Sequence, residues 1–215
     1  MEARLSTQLT PPSLVPNLLR SDPHFKTWTG DKFDFHGECD LVLLQNPEFS
    51  SGLGMHVHIR TKLQGPRFSS VETAALRIGE DTLEVQSGDD GFLVEYKKVR
   101  KGNIKQRVYT ITLDGDEQIV VTTFKSLVQV DFKNVKDSFA GSVGLMGEFK
   151  TGIKLARDGK TVVRKHNKFG HKTFGQEWQV LARSPSLSRC GRPAAPGQLY
   201  HAVSNYHQAS PSRRA

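Results

Sequence analysis

The sequence predicts an all-β domain, an antiparallel β-sandwich or a strongly curved sheet, with disordered termini. Three observations carry this. Short segments alternate apolar and polar residues, as in Met55–Lys62. Turn signals such as Ser87-Gly-Asp-Asp-Gly91 and Asp114-Gly115 break the chain at strand-like intervals. No stretch of helical periodicity convinces beyond about two turns. The length of 215 residues suits one large all-β domain. A hydrophobic fraction of 36% is polar for a globular protein but above that of a disordered chain.

Residues 1–20 read as a flexible leader, because Pro11, Pro12 and Pro16 interrupt any periodic pattern. The domain then runs over residues 21–181. Phe33 and Phe35 share one face of an extended stretch, and Asp34 and His36 the other. Gly37 breaks the run before an apolar strand at Asp40–Leu44, and Gln45–Gly54 follows as a loop. In Met55–Lys62, Met55, Val57, Ile59 and Thr61 face one side and His56, His58, Arg60 and Lys62 the other. That pattern predicts a half-buried strand with a solvated outer face.

Val71–Ile78 is short and lies between turn-forming clusters, which favours strand over helix despite its alanines. Thr82–Val85, Phe92–Tyr96, Tyr109–Leu113, Gln118–Thr123 and Ser126–Phe132 continue the series. Lys97–Arg107 reads as the solvated end of a hairpin, and Asp114-Gly115 is a strong hairpin turn. A glycine-punctuated segment, Phe139–Gly147, precedes turns at Thr151-Gly152 and Asp158-Gly159. Phe174–Val180 reads as the last ordered strand, and residues 182–215 as a disordered basic tail.

Charge is unevenly placed. The net charge is +8, yet residues 21–149 hold 15 basic and 19 acidic residues, which leaves that stretch at −4. Residues 150–183 carry 9 basic against 2 acidic residues. Basicity confined to the last third is not how a nucleic-acid-binding face is built, so no nucleic-acid partner is expected. No window of 18 apolar residues occurs, so no membrane-spanning helix is expected. The first twenty residues hold no apolar core of a signal peptide.

Catalytic patterns are absent from the sequence. It has no Gly-x-Ser-x-Gly, phosphate loop or His-Glu-x-x-His, and no small-molecule substrate or enzymatic activity is expected. Asp31, Asp34, Glu38 and Asp40 interleave with apolar residues as on any half-exposed strand. His56 and His58 could chelate a metal, but no third ligand is identifiable, and they are expected as surface histidines. Two cysteines, Cys39 and Cys190, make neither a disulfide framework nor a zinc site, and free thiols are expected.

Both ends of the domain together resemble the von Willebrand factor type D family. The opening matches through Asp22, Pro23, His24, Phe25, Thr27, Trp28, Gly30, Phe33, Phe35, Gly37, Cys39 and Leu41. Gly144-Leu145-Met146-Gly147 is similar to the family's Gly-Leu-Cys-Gly element, with Met146 in the cysteine position. Asp158-Gly159 and Phe174-Gly175-x-x-Trp178 resemble its closing elements.

The resemblance implies an extracellular or cell-surface, structural or adhesive module that binds other proteins. It also implies a possible calcium site between Asp22 and the loop after Gly147, where Glu148 is the nearest carboxylate and Lys150 stands close by. Otherwise no cofactor is expected. Two alternatives accompany this reading. One is a type D-like piece of a large lipid-transfer protein. The other is a polyanion-binding surface at 150–172, carried by Lys150, Lys154, Arg157, Lys160, Arg164, Lys165, Lys168 and Lys172.

Overall fold

A computed structural model describes residues 4–8, 23–65, 68–88, 91–96, 99–102, 106–124, 127–164 and 170–180. The described residues form twelve strands. Strands β4 (Cys39–Asn46), β5 (Met55–Gly65), β6 (Phe68–Ile78), β7 (Asp81–Gly88), β8 (Gly91–Tyr96) and β9 (Val99–Gly102) form one antiparallel meander in chain order. A second antiparallel sheet has the order β1-β10-β11-β12, from Arg4–Gln8, Gln106–Thr112, Gln118–Phe124 and Leu127–Lys133. A small hairpin pairs β2 (His24–Lys26) with β3 (Lys32–Asp34).

The two larger sheets pack face to face, with β12 over β6 and β7 and β11 over β7. Alternation fills the space between them. Met55, Val57 and Ile59 lie opposite Ile78, Leu76 and Ala74, and Leu76 and Ala74 in turn lie opposite Leu83 and Val85. From the other sheet come Tyr109, Ile111, Ile119, Val121 and Val128, all buried in the same cluster. Each such aliphatic side chain contributes roughly 1.5–3 kcal/mol by leaving water.

The strands expected between Asp40 and Phe132 are present, and five expectations need correction. Arg4–Gln8, read as part of a flexible leader, is strand β1, paired in register with β10 from Arg4↔Thr112 to Gln8↔Val108. The Gln45–Gly54 loop is shorter than expected, because β4 runs on to Asn46 and Phe49–Gly52 forms a single helical turn, α1. The Lys97–Arg107 hairpin turns at its start, since Tyr96 pairs with Val99 and the chain then passes from β9 to β10 in the other sheet.

The fourth correction concerns Phe174–Val180, which begins inside a helix, α2 (Gly170–Glu177). His171, Phe174, Gly175 and Trp178 are spaced i, i+3, i+4 and i+7, a helical stripe. That stripe docks on the β2–β3 hairpin, with Phe174 edge-on to Phe33 at 5.3 Å and His171 at 5.7 Å. Gly175 faces the Phe35 ring so closely that a Cβ would overlap it.

The fifth concerns the outer face of β5. His56, His58 and Arg60, expected in water, are 1%, 0% and 2% exposed. Period two shows which residues share a face, but not whether a further layer covers it. Arg60 makes a bidentate pair with Asp40 across β4–β5, at 2.7 and 3.1 Å.

Candidate functional site

The family-like residues converge on strand β4. Its sequence, CDLVLLQN, is almost continuously apolar at its centre, and Leu41 to Leu44 are all buried. Such a run is typical of a strand covered on both faces. One edge of β4 pairs with β5. The other would be an open row of N–H and C=O groups, a template for unwanted pairing.

Two later segments share that edge. Gln45 and Val143 exchange both backbone hydrogen bonds, at 2.8 and 3.0 Å. Leu145 donates to the Val42 carbonyl and Met146 to the Leu43 carbonyl. Beyond them, the Val42 N–H donates to the Trp178 carbonyl at 2.7 Å and Val180 donates to Asp40 at 2.6 Å. The register shift between Val42 and Leu44 marks a bulge next to Val42, the residue at which the two closures meet.

The Gly144–Gly147 turn fits only without side chains at its ends. At Gly144, φ is +141° and a Cβ would lie 2.5 Å from the Leu43 carbonyl oxygen. At Gly147, φ is +76° and a Cβ would lie 2.6 Å from the Gly152 carbonyl oxygen. Both are backbone collisions at conformations that residues with a Cβ rarely adopt.

The opening stretch reaches the same place. The Trp28 N–H donates to the Met146 carbonyl at 3.0 Å. Its ring packs against Phe132, Phe139 and Phe149 with centroids 5.1–5.8 Å away. Phe25 stacks on Phe33 at 5.3 Å, and Pro23 is buried beside this pair in the chain. His24 is exposed and its Nδ1 lies 2.6 Å from Asp34. Gly30 closes the turn before β3 by donating to Thr27. Gly37 is held from two sides: its N–H donates to Ser69 and its carbonyl accepts from Thr61. Trp178 is fully buried, and its indole donates to the Leu155 carbonyl at 2.9 Å.

A scan against family models matches the von Willebrand factor type D domain over residues 18–169. The chain belongs to the von Willebrand factor type D family. Its members are non-enzymatic, typically extracellular modules that mediate protein interactions. No curated protein matches the chain. Among the described residues, no helix is long and apolar enough to cross a membrane.

Of the expected calcium ligands of this type D domain, Glu148 alone lies among the described residues. Asp22 lies outside the described residues. The Glu148 carboxylate accepts the Thr151 hydroxyl at 2.6 Å. Lys150 instead pairs with Asp137 at 2.7 Å. Among the described residues, no three His, Cys, Asp or Glu side chains cluster as metal ligands.

The basic segment is partly consumed by the fold. Lys154 pairs with Asp31 and lies 5.4 Å from the Phe33 ring centroid. Arg157 sits 5.9 Å over the Trp178 ring and donates to the Glu177 and Gln179 carbonyls. Lys160, Arg164 and Lys172 are exposed, while Lys165 and Lys168 lie outside the described residues. Asp158 caps its own turn through Thr161 and Lys160, and those hydrogen bonds hold its carboxyl down at about 2.

Three features escaped the sequence reading. Cys39 is buried and disulfide-bonded, so the expectation of a free thiol there is corrected. His58 is held neutral, its pKa lowered to about 3 by burial first, then by His56 and Arg157. A two-residue spacing of histidines carries no sign of either burial or the approach of Arg157. The Asn46 amide, which donates to Ala140 and Ser142 and fixes the start of the Gly-rich turn, also had no local signal.

Proposed function

We propose that this domain is a structural or adhesive protein-binding module of an extracellular or cell-surface protein and performs no chemistry of its own. The observation that carries the proposal is the use made of the signature residues. Phe25, Trp28, Cys39, Gly144, Gly147 and Trp178 are all engaged in closing the edge of β4 or packing around it. They build a rigid frame, and recognition then falls to the loops and strand edges that the frame presents. Family membership supports the same reading.

Commitment of Lys154 and Arg157 to internal partners argues against a polyanion surface as the main contact. The test is binding of the folded domain, coupled to beads, to intact cells and to matrix proteins. Saturable binding that survives about 0.5 M salt supports the proposal, since a polyanion contact would be screened there. Binding only to heparin, lost with salt, or no saturable binding at all, overturns it.

A further inference from the structure

We propose that the outer edge of β10 is an acceptor for an extended strand of a partner protein, and that β1 fills it in cis as a built-in competitor. This names a partner class for the protein-binding reading above and rests on that reading. The family match begins at residue 18, so the matched region supplies β10, β11 and β12 but not β1. On one side β10 pairs with β11, from Gln106↔Phe124 to Thr112↔Gln118. On its other side, among the described residues, β1 is the only strand.

A sheet edge presents a row of N–H and C=O groups that a further strand satisfies. Arg4–Gln8 does so without a bulge, from Arg4↔Thr112 to Gln8↔Val108. Since β1 has β10 as its sole strand neighbour, its departure leaves the order β10-β11-β12 intact. The β4 edge is different, because the segments that close it carry Leu145 and Trp178 of the core.

The register sets what fits. Tyr109 and Ile111 of β10 are buried, and the positions opposite them are Thr7 and Leu5. Val108, Thr110 and Thr112 are half-buried, and opposite them stand Gln8, Ser6 and Arg4. The partner that this selects is an extended segment of about five residues, apolar or β-branched at its second and fourth positions and polar between. Fourteen residues, 9–22, lie between β1 and Pro23. A tether of that length gives the cis strand an effective concentration on the order of millimolar. A partner strand competes against that figure, and weakening β1 opens the acceptor.

The test uses the full chain and a fluorescent peptide with the sequence of residues 3–9, followed by anisotropy. The variant is Leu5→Pro/Ser6→Pro. Successive N–H groups of a strand point to opposite sides, so one of the two prolines removes a donor to β10. The variant is expected to bind the peptide at least about tenfold more tightly than the wild type, because apparent affinity scales with the fraction of open acceptors. A photoreactive leucine in the peptide is expected to crosslink to β10, not to β9 or β12. A folded variant that gives no saturable binding, affinity equal to that of the wild type, or crosslinks at β9 or β12 instead overturns the proposal. A wild-type dimer that the variant loses would assign the edge to a second copy and overturn it too. Should the variant not fold, the wild type decides: at millimolar peptide the β10 crosslink is expected, and its absence overturns the proposal. The peptide assay contains no cells or matrix, so its failure is distinct from a failure of the bead assay.

Discussion

Lowering the pH from 7 to 5 is expected to destabilise this domain through His58. The side chain is fully buried on β5, opposite Val42 on β4 and Ala75 on β6, with Glu84 beyond Ala75 on β7. His56 lies 6.4 Å away between ring centroids, and Arg157 adds a positive charge from the turn between Leu155 and Val162. The Asp40–Arg60 pair borders the site. Burial and the two basic neighbours lower the pKa from 6.5 to about 3.

The folded state therefore stays neutral where the unfolded chain takes up a proton. Stability is full above pH 6.5 and falls as pH drops from there towards about 3. Between pH 7 and 5 that linkage removes about 2 kcal/mol. For a domain of this size it corresponds to a Tm lower by about 4–8 °C. Other groups titrate too, so the assay is the difference in Tm between the wild-type protein and His58→Gln, measured at pH 7, 6 and 5. The variant costs stability at pH 7 and its deficit should shrink by about 2 kcal/mol at pH 5. A constant deficit across this range, or a His58 imidazole that titrates near 6.5 by NMR in the folded protein, refutes the reasoning.

Further outcomes follow from the closure of β4. Gly144→Ala drives a Cβ into the Leu43 carbonyl at a strained φ, and should cost about 3 kcal/mol or more in urea unfolding. Trp178→Ala removes a fully buried ring and the donor to Leu155, for a loss of about 3–5 kcal/mol by the same measurement. Trp178→Phe should recover part of it. Millimolar calcium is expected to leave Tm within about 1 °C for both the wild type and Glu148→Gln, because ligand binding to the native state would raise it. A rise of several degrees that Glu148→Gln abolishes would restore a calcium site.

Much of the frame is legible in the sequence, for a local reason. Side chains alternate along a strand, so Met55, Val57 and Ile59 mark a core face by spacing alone. Asp114-Gly115 marks a reversal because Gly115 adopts φ of +73°. Gly144 and Gly147 are legible as turn positions, though not as points where one backbone meets another. The stripe at His171, Phe174, Gly175 and Trp178 was also available. Its short length and its glycine give a weak local signal, and only docking on Phe33 and Phe35 selects the helix.

The sequence by itself determined the β-rich character, most strand positions and the two-ended type D signature, since each depends on residues close in the chain. Only the tertiary structure decided that β1 completes the second sheet and that a basic segment spends Lys154 and Arg157 on internal partners. It also decided that His56, His58 and Arg60 lie in a covered layer and that Cys39 is bonded. These depend on which distant segments cover a face or an edge. A period-two pattern reports the orientation of a side chain, and carries no information about what arrives to meet it.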